Sequence, residues 1–311
     1  LKLMNMKKLA ILSILAMLAI TVQAQQSPLS ESYFLDKYTL APSYAGNFNP
    51  KYIFLGYRSD WSGINGGPMT FRLSFNDVLM QKAGWGARIV FDKAGIFNQL
   101  NALGSYSYNL DIANDHHVLF GISAGIYHNS VNLTDYYNDP NYNIDPALVQ
   151  EDVASKVKFL SDVSLVYMFK DFEAGVLLSN VSFGDATYTS AEDLKYNPIS
   201  VFQFHTSYMI KASDNWDIIP FALVRGGKNI PTQIEIASQV VWRDMLMGSI
   251  VYRDPGTLGI GLGANIDRGL KIYYNFNFAT NVSMGIYNNH EITIGFNIFE
   301  YINKTNAPMV E

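Results

Sequence analysis

Apolar and polar residues alternate along most of the chain with the period of a β-strand. Near the C-terminus, four apolar residues are separated by Thr293, Gly295 and Asn297; they are Ile292, Ile294, Phe296 and Ile298. Such spacing places one set of side chains on each face of a strand. The same alternation recurs from residue 51 to residue 301, while helical periodicity is nearly absent. The pattern predicts an all-β protein.

Fourteen segments carry this alternation. Several have about 10 residues or more, the length that a tilted strand needs to cross a membrane. The predicted strands are 51–58, 69–79, 84–92, 97–110, 116–127, 157–169, 171–181, 198–211, 215–226, 231–242, 245–252, 257–266, 269–280 and 289–301.

The connections between these segments alternate in length. One set is tight, as in Asp267-Arg268-Gly269, and the other set is mostly longer, with residues 59–68, 128–156, 182–197 and 281–289. Short periplasmic turns that alternate with longer outer loops are typical of outer-membrane barrels. We therefore predict an outer-membrane antiparallel β-barrel of about 14 strands, with both termini in the periplasm.

A soluble antiparallel sandwich is the alternative, because it also contains many alternating strands. With only 16% charged residues, such a sandwich would expose a large apolar surface to water, whereas a barrel turns that surface to lipid. Aromatic residues at the predicted strand ends suit the membrane interfaces, and they equally suit ordinary packing beside turns. These residues are Trp61, Trp85, Trp216, Trp242, Tyr252 and Tyr301.

The predicted inner face carries bulky side chains. It presents Tyr52, Phe54, Gly56 and Arg58 on the first strand, and Asp217, Ile219, Phe221, Leu223 and Arg225 on the strand that begins at Trp216. A wide porin would have a more polar lining, so this pattern predicts a filled interior. Residues 25–50 are too apolar for a solvated tail, and we expect them to pack into the barrel or under its periplasmic mouth.

The first 24 residues have the features of a signal peptide. Lys7 and Lys8 precede an apolar run, residues 9–21, and small residues follow just before Gln25. The run is shorter than the roughly 20 residues of a transmembrane helix, and the chain has no cysteine for a lipid anchor. The predicted organisation is a signal peptide (1–24), an N-terminal periplasmic or plug segment (25–50), a transmembrane β-barrel (51–302) and a C-terminal tail (303–311).

Composition and charge exclude several other classes. The aromatic content of 14% and the low charge argue against a disordered chain, and the lack of cysteine argues against a disulfide scaffold. Cleavage of the signal peptide removes three lysines, which leaves 19 of the 22 basic residues against 27 acidic ones, a net charge of about −8. Nucleic acid is therefore not an expected partner.

Motifs for catalysis or cofactor binding are weak. Gly259-x-Gly261-x-Gly263 lies inside a predicted strand with no helix after it, which favours close packing over a nucleotide-binding loop. His116 and His117 are adjacent on a strand and would point to opposite faces, which disfavours a shared metal site. No nucleophile elbow is present, although a barrel hydrolase stays a formal alternative. The sequence predicts a non-enzymatic protein without catalytic residues, metal or cofactor.

The long predicted loop between the fifth and sixth strands combines aromatic residues with Asn and Asp. Its candidate contact residues are Tyr136, Tyr137, Asp139 and Tyr142. This composition suits contact with protein or glycan, or capture of Ca²⁺ by the carboxylates, and it is also that of an ordinary external loop.

Two stretches resemble a known family. Leu40-Ala41-Pro42-Ser43-Tyr44-Ala45-Gly46 and the segment from Tyr57-Arg58 through Trp61 to Gly66-Gly67-Pro68 are similar to signatures of the PorP/SprF family, the type IX secretion system outer-membrane proteins of Bacteroidetes. Gly84-Trp85-Gly86-Ala87 with Asp92-Lys93-Ala94-Gly95, Asn138-Asp139-Pro140 and His290-Glu291-Ile292 look like later landmarks of the family. Ala41 stands where the family usually has Asn.

The resemblance implies a non-enzymatic outer-membrane component of the type IX secretion or gliding machinery, which anchors a specific cargo protein or assists its export and surface retention. The implied partners are periplasmic ring and motor components, a secreted surface cargo protein and outer-membrane lipid. Arg58, Trp61, Gly66 and Pro68 are candidate partner contacts, although a purely architectural role of this loop stays open. The alternative function is a porin-like channel for small solutes.

Overall fold

The structure is a computed structural model that describes residues 29–132, 153–182, 186–187, 195–196, 198, 200–228, 230–267, 269–280 and 288–300. One sheet of sixteen segments dominates it. Two of these segments are a two-residue strand, Val153–Ala154, and the second half of a strand interrupted at Met209. Fourteen strands therefore form the sheet, as the alternation predicts.

The strands are β1 (Tyr52–Ser59), β2 (Met69–Met80), β3 (Ala83–Ala94), β4 (Phe97–Ala113), β5 (His116–Val131), β6 (Lys158–Phe169), β7 (Phe172–Ser182), β8 (Val201–Tyr208, continued by Ile210–Ser213), β9 (Trp216–Gly227), β10 (Ile230–Trp242), β11 (Leu246–Arg253), β12 (Thr257–Asn265), β13 (Leu270–Ala279) and β14 (Asn289–Asn297). A separate two-stranded ribbon pairs Ala186–Thr187 with Lys195–Tyr196.

The sheet closes on itself. Each strand pairs antiparallel with the next strand in sequence, and β1 pairs with β14, with Tyr52 opposite Asn297 and Ser59 opposite His290. Closure leaves no unpaired edge, which is the condition for a sheet to lie in hydrocarbon. The predicted antiparallel barrel is therefore confirmed, and the sandwich alternative is wrong.

The two faces of the wall differ in chemistry because side chains alternate along every strand. The outer face carries exposed apolar residues, among them Phe120, Ile122, Leu165, Ile250, Ile260 and Leu262. The inner face carries buried polar residues, among them Thr70, Ser107, Ser123, Gln203, Asn275 and Thr293. An apolar outer band around a polar interior is the arrangement of a transmembrane barrel. Among the described residues, no helix is long and apolar enough to cross a membrane.

The two ends of the barrel differ in their connections. At one end, called here the tight-turn end, two to four residues join successive strands. At the other end, the long-loop mouth, four connections are longer: 60–68, 132–157, 183–200 and 280–288. The predicted alternation of connection length is confirmed. The periplasmic position of both termini stays a prediction.

Strand boundaries agree with the predicted ones to within four residues, and the largest differences are at the C-terminal ends of β5 and β14. β5 continues to Val131 instead of ending at residue 127. The last strand is shorter than predicted. It was predicted to continue to residue 301, but β14 ends at Asn297. The Asn297 side-chain oxygen accepts hydrogen bonds from the backbone amides of Phe299 and Glu300, at 3.2 and 3.4 Å. This local bonding turns the chain out of the sheet.

Aromatic residues lie at both rims of the barrel. Trp85 and Trp216 are exposed near the tight-turn end, where the rings of Trp216 and Trp242 have centroids 6.3 Å apart. Trp61 and Tyr252 are exposed near the long-loop mouth. This placement suits the interfacial girdles of an outer-membrane barrel. Tyr301 lies outside the described residues.

Residues 29–50, called here the lumen segment, lie inside the barrel. They form three short 3₁₀ turns, Glu31–Phe34, Lys37–Thr39 and Pro42–Tyr44. Ser30 caps the first turn by accepting the Ser32 amide, and Pro42 opens the third. Four of the segment's large side chains are almost fully buried: Tyr33, Tyr38, Leu40 and Tyr44.

The lumen segment packs against apolar side chains of the inner wall. Its contacts form one cluster with Leu119, Val166, Phe221, Leu223, Ala237 and Val251. The bulky inner-face residues predicted from the alternation, such as Phe54, Phe221 and Leu223, are buried. These wall residues are large because they fill space around an internal segment instead of lining a wide water channel.

Candidate functional site

The predicted contact residues are only partly exposed. Arg58 is 5% exposed and points into the lumen, where Glu31 and Asp60 bind its guanidinium. Burial therefore removes Arg58 from the surface that a partner could touch. Trp61 and Gly66 are exposed and Pro68 is half-buried, all in the connection between β1 and β2. Tyr136, Tyr137, Asp139 and Tyr142 lie outside the described residues.

Charged residues meet inside the barrel near the long-loop mouth. We call Glu31, Arg58, Asp60, Arg72, Glu235, Arg253 and Glu291 the mouth cluster. Its centre is the Glu31 carboxylate, whose Oε1 lies 3.0 Å from Nη1 of Arg58 and 2.7 Å from Nη1 of Arg253. These two arginines come from β1 and β11, so the lumen segment joins strands that do not pair with each other.

Glu291 of β14 fixes the start of the lumen segment. Its carboxylate accepts the Ser30 hydroxyl at 2.6 Å and the Glu31 backbone amide at 3.0 Å. The guanidinium groups of Arg58 and Arg72 both lie 3.5 Å from the same carboxylate. The first turn of the segment is thus held by backbone and side chain together.

Glu235 of β10 completes the cluster on the opposite side. It accepts the Tyr33 hydroxyl at 2.6 Å and Nε of Arg253 at 2.7 Å, and Nη2 of Arg253 also contacts it. Buried charges in a membrane protein require such pairing, because an unpaired ion in a low-dielectric interior is costly. In the mouth cluster, Glu31 of the lumen segment therefore links arginines that are also paired with carboxylates from the barrel.

The electrostatic environment of Glu31 favours its ionised form. Burial by itself would raise the pKa of the Glu31 carboxyl, but the positive charges of Arg253 and Arg58 outweigh burial and lower the pKa to about 2. Because the folded pKa is below the ordinary value of 4.5, this pairing contributes stability that is complete above about pH 4.5 and is lost as the pH falls from there through about 2.

A second set of contacts fixes the lumen segment near the tight-turn end. Nζ of Lys37 lies 2.7 and 2.8 Å from the two carboxylate oxygens of Glu173, which also accepts the Ser207 hydroxyl at 2.8 Å. The Tyr44 hydroxyl lies 2.8 Å from Nε2 of the fully buried His205.

The last residues of the segment continue this attachment into β1. Nζ of Lys271 donates to the Asn49 side-chain oxygen at 2.6 Å, and the Lys51 amide donates to the Asn76 carbonyl at 2.8 Å. The segment therefore runs along the barrel axis, from the long-loop mouth at Ser30 to the tight-turn end at Asn49.

The backbone of the segment touches the wall directly at two glycines. A Cβ atom on Gly121 of β5 would lie 2.0 Å from the Ser43 nitrogen, and a Cβ atom on Gly84 of β3 would lie 2.1 Å from the Ala45 carbonyl oxygen. The Ser43 amide donates to the Ser164 hydroxyl at 3.0 Å beside this contact. Glycine is required at both positions because any side chain would displace the segment.

The glycine-rich stretch of β12 also serves packing. A Cβ atom on Gly261 would lie 2.4 Å from the Ser249 hydroxyl, and a Cβ atom on Gly263 would lie 2.2 Å from the ring of Tyr273. Tyr273 is fully buried, and its hydroxyl donates to Ser249 at 2.7 Å. Close packing of an inward tyrosine explains these glycines, as the sequence predicts.

Burial of the ionised Asp36 carboxylate is energetically unfavourable in the folded state. It is buried beside a small cavity that Arg72, Ser74 and Arg88 also line, and it accepts the Ser74 hydroxyl at 2.5 Å. Burial raises the pKa of the Asp36 carboxyl to about 6, against the lowering effect of the Ser74 hydrogen bond and the Arg88 charge. The folded pKa of Asp36 is above its ordinary value of 3.8. The stability that protonated Asp36 contributes is therefore complete below pH 3.8, and it is lost as the pH rises through about 6.

We expect the Asp36→Asn substitution to remove this pH dependence. An asparagine keeps the size and an acceptor oxygen for Ser74 but has no charge to bury, so the variant should gain stability relative to the parent between pH 4 and pH 7, by up to about 3 kcal/mol. Unfolding midpoints in denaturant, measured across this range, give the two profiles. Parallel profiles would show that Asp36 does not titrate in the folded barrel.

The two adjacent histidines engage different partners. His116 Nδ1 lies 2.7 Å from the Tyr167 hydroxyl, and His117 Nδ1 lies 2.6 Å from the Asp111 carboxylate. Within the described ranges, no group of three or more His, Cys, Asp or Glu residues is placed to hold a metal ion.

Of the mouth cluster, Arg58 alone was predicted as a site residue from the sequence. A signal exists for two of the others. Glu235 and Arg253 are ionisable residues in strands long enough to span a membrane, and such residues usually face the interior and pair with each other.

The geometry and the comparisons together assign the protein to a structural class and to a family. A closed barrel with an apolar outer face, a polar inner face and an internal N-terminal segment defines an integral outer-membrane protein of the β-barrel class. The family of type IX secretion system membrane proteins PorP/SprF matches residues 22–296. The chain therefore belongs to the PorP/SprF family and resides in the bacterial outer membrane, which confirms the resemblance found in its sequence motifs.

Solved outer-membrane proteins resemble the barrel only distantly. The Ralstonia pickettii toluene transporter TbuX is 11% identical, with a TM-score of 0.48 over 89% of this chain and 96% of that chain. The CymD monoaromatic hydrocarbon channel is 10% identical, with a TM-score of 0.49 over 88% and 93% of the two chains. The barrel assignment depends on the strand pairing of this chain and not on these neighbours. None of the curated proteins compared with the chain matches it in sequence.

Proposed function

We propose that this protein is a non-enzymatic outer-membrane component of the type IX secretion or gliding machinery, and that it anchors a specific cargo protein or assists its export and surface retention. Membership of the PorP/SprF family supports participation in that machinery. The occupied lumen is the structural observation that supports an anchoring role, because residues 29–50 are bonded to the wall from mouth to turns.

This occupancy disfavours a porin-like channel as the main function. A channel for small solutes needs an open lumen with a polar lining. Here Tyr33, Leu40 and Tyr44 pack against wall residues in a common apolar cluster, and salt bridges hold the segment on both sides of it.

The exposed part of the β1–β2 connection is the proposed contact for a partner. Trp61 is 42% exposed and Ile64 40% exposed, while Trp61 is held through its amide by the Asn289 side chain at 3.1 Å. Tryptophan is enriched among the residues that contribute most of the binding energy at protein interfaces. We place Trp61, Gly66 and Pro68 in this contact, together with Tyr136, Tyr137, Asp139 and Tyr142 of the long loop. Periplasmic ring and motor components would bind at the opposite end of the barrel.

Replacing Trp61 with Ala should leave the barrel folded and reduce the cargo retained at the cell surface severalfold. The reason is that the side chain is exposed, so its loss removes little packing from the wall but removes an aromatic contact from the loop surface. Surface cargo is measured by immunoblot of intact cells, and barrel folding by heat-modifiable mobility on gels.

Trp216→Ala is the matched control, because this tryptophan is similarly exposed but lies at the tight-turn rim. Equal loss of cargo from both variants, or loss of the folded barrel in the Trp61 variant alone, would contradict the contact and favour an architectural role for the loop.

The function itself is tested by cross-linking the envelope, purifying the protein in mild detergent and identifying its neighbours by mass spectrometry. We expect periplasmic ring lipoproteins, a large surface protein, or both. Repeated recovery of the barrel alone would contradict the proposal and favour the porin-like channel.

A further inference from the structure

The Glu31 carboxylate is bound by Arg58 and Arg253 in the way that a separate carboxylate ligand would be bound by a protein. Nη1 of Arg58 and Nη1 of Arg253 both point at one carboxylate oxygen, and both arginines belong to the wall while the carboxylate belongs to the lumen segment. Each arginine also has a carboxylate partner outside the lumen segment: Asp60 of the β1–β2 connection for Arg58, and Glu235 of β10 for Arg253. These partners hold both guanidinium groups at the site, and Nη1 of Arg58 also donates to the Leu29 carbonyl at 3.4 Å.

Glu31 uses only one of its two carboxylate oxygens in this contact. Only its Oε1 atom is bound by the two arginines, and its buried Oε2 atom has no hydrogen-bond partner within the described residues. A free carboxylate is not constrained by the segment and is able to turn both of its oxygens toward guanidinium donors, and such charge-assisted hydrogen bonds are the strong ones. A competing carboxylate at this position would meet the same two guanidinium donors as Glu31 does.

The site lies at the long-loop end of the wall, but Arg58 and Arg253 are buried, so an incoming carboxylate reaches them only when the first turn of the lumen segment moves. Arg253 is the last residue of β11 and is followed by the exposed Asp254, and Arg58 lies three residues before the exposed Trp61. Glu31 lies in the first described turn of the lumen segment, so its release would require movement of that turn and not of the whole segment.

We propose that Arg58 and Arg253 form a carboxylate-binding site at the long-loop mouth, that Glu31 is its resident ligand, and that a carboxylate of an acidic peptide arriving at this mouth competes with Glu31 and releases the first turn of the lumen segment. This inference is independent of the type IX role, because it needs only the purified barrel and a carboxylate.

The first test is chemical rescue of the full-length Glu31→Ala variant by formate. We expect the variant to unfold at a lower temperature than the parent, and formate to raise its midpoint by a few degrees with a saturable dose dependence, beyond the effect of chloride at the same ionic strength. Glu31→Gln is the matched control, because its amide fills the site, and it should not respond. A formate effect equal to that of chloride would overturn the proposal.

The second test keeps Glu31 in place and does not depend on the stability of the alanine variant. Because the natural chain has no cysteine, Ser32→Cys gives a single buried thiol in the first turn, and its alkylation rate reports the release of that turn. An end-capped triglutamate peptide should accelerate the reaction severalfold, while a triglutamine peptide should not.

Ser107→Cys is the control thiol for this test, since Ser107 is equally buried but lies against Ala45, away from the mouth cluster. No acceleration by the triglutamate peptide, or equal acceleration at both thiols, would overturn the competition.

Discussion

Substitution of Gly121 by Leu is expected to convert an occupied barrel into a conducting one. Gly121 lies on the inner face of β5, where an added Cβ atom would meet the Ser43 nitrogen at 2.0 Å and the Pro42 carbonyl carbon at 2.5 Å. The contact involves backbone on both sides, so no side-chain rotation can relieve it. The lumen segment must therefore leave this part of the wall, and steady ion conductance in planar bilayers should appear where the parent shows little.

The control for this experiment is Gly104→Leu on the neighbouring strand β4. Gly104 faces outward, and a Cβ atom there would have no neighbour closer than 3.9 Å. This variant should behave as the parent does. Unchanged conductance in the Gly121 variant, with the barrel folded, would show that the segment does not block ion flow.

The second large effect is expected from Arg253→Met. Arg253 is the partner of both Glu31 and Glu235, and removal of its charge leaves two buried carboxylates that must share the remaining arginines. Breaking a buried ion pair by removing one partner typically costs about 3–5 kcal/mol. The loss should be visible as a lower unfolding midpoint in denaturant.

Arg243→Met is the matched control for this change. Arg243 is exposed in a tight turn, where its guanidinium stacks on Trp242 and donates to the Asn215 side chain. Exposed interactions of this kind contribute about 1 kcal/mol or less. Equal losses in both variants would contradict the structural role assigned to the mouth cluster.

Most of the wall follows from the sequence. The fourteen strands were predicted because alternation is a local signal, and because each strand must turn one face to lipid and the other to the interior. The inward bulky residues Phe54, Phe221 and Leu223 also indicated a filled barrel, since their size is unsuited to a wide channel. Closure then follows from the even number of strands and the need to pair every edge.

The mouth cluster did not follow from the sequence, for a physical reason. Whether Glu31 meets Arg253 depends on the path of residues 29–50 through the lumen and on the stagger between β1 and β11, and neither has a local pattern. Arg58 shows the same limit: the alternation predicts that it faces inward on the first strand, but no local pattern predicts that its guanidinium meets Glu31.

The central claim is that residues 29–50 occupy the lumen, and an engineered disulfide tests it directly in cells. The Ser32 and Thr293 hydroxyl oxygens lie 2.8 Å apart, one on the lumen segment and the other on the inner face of β14, and the natural chain has no cysteine to interfere. We expect Ser32→Cys with Thr293→Cys to cross-link on oxidation, with a shift in gel mobility that reductant reverses. The wall pair Ser105→Cys with Ser123→Cys, whose hydroxyls lie 2.7 Å apart, reports that oxidation has reached the interior. A cross-link in the wall pair without one between residues 32 and 293 would contradict the account.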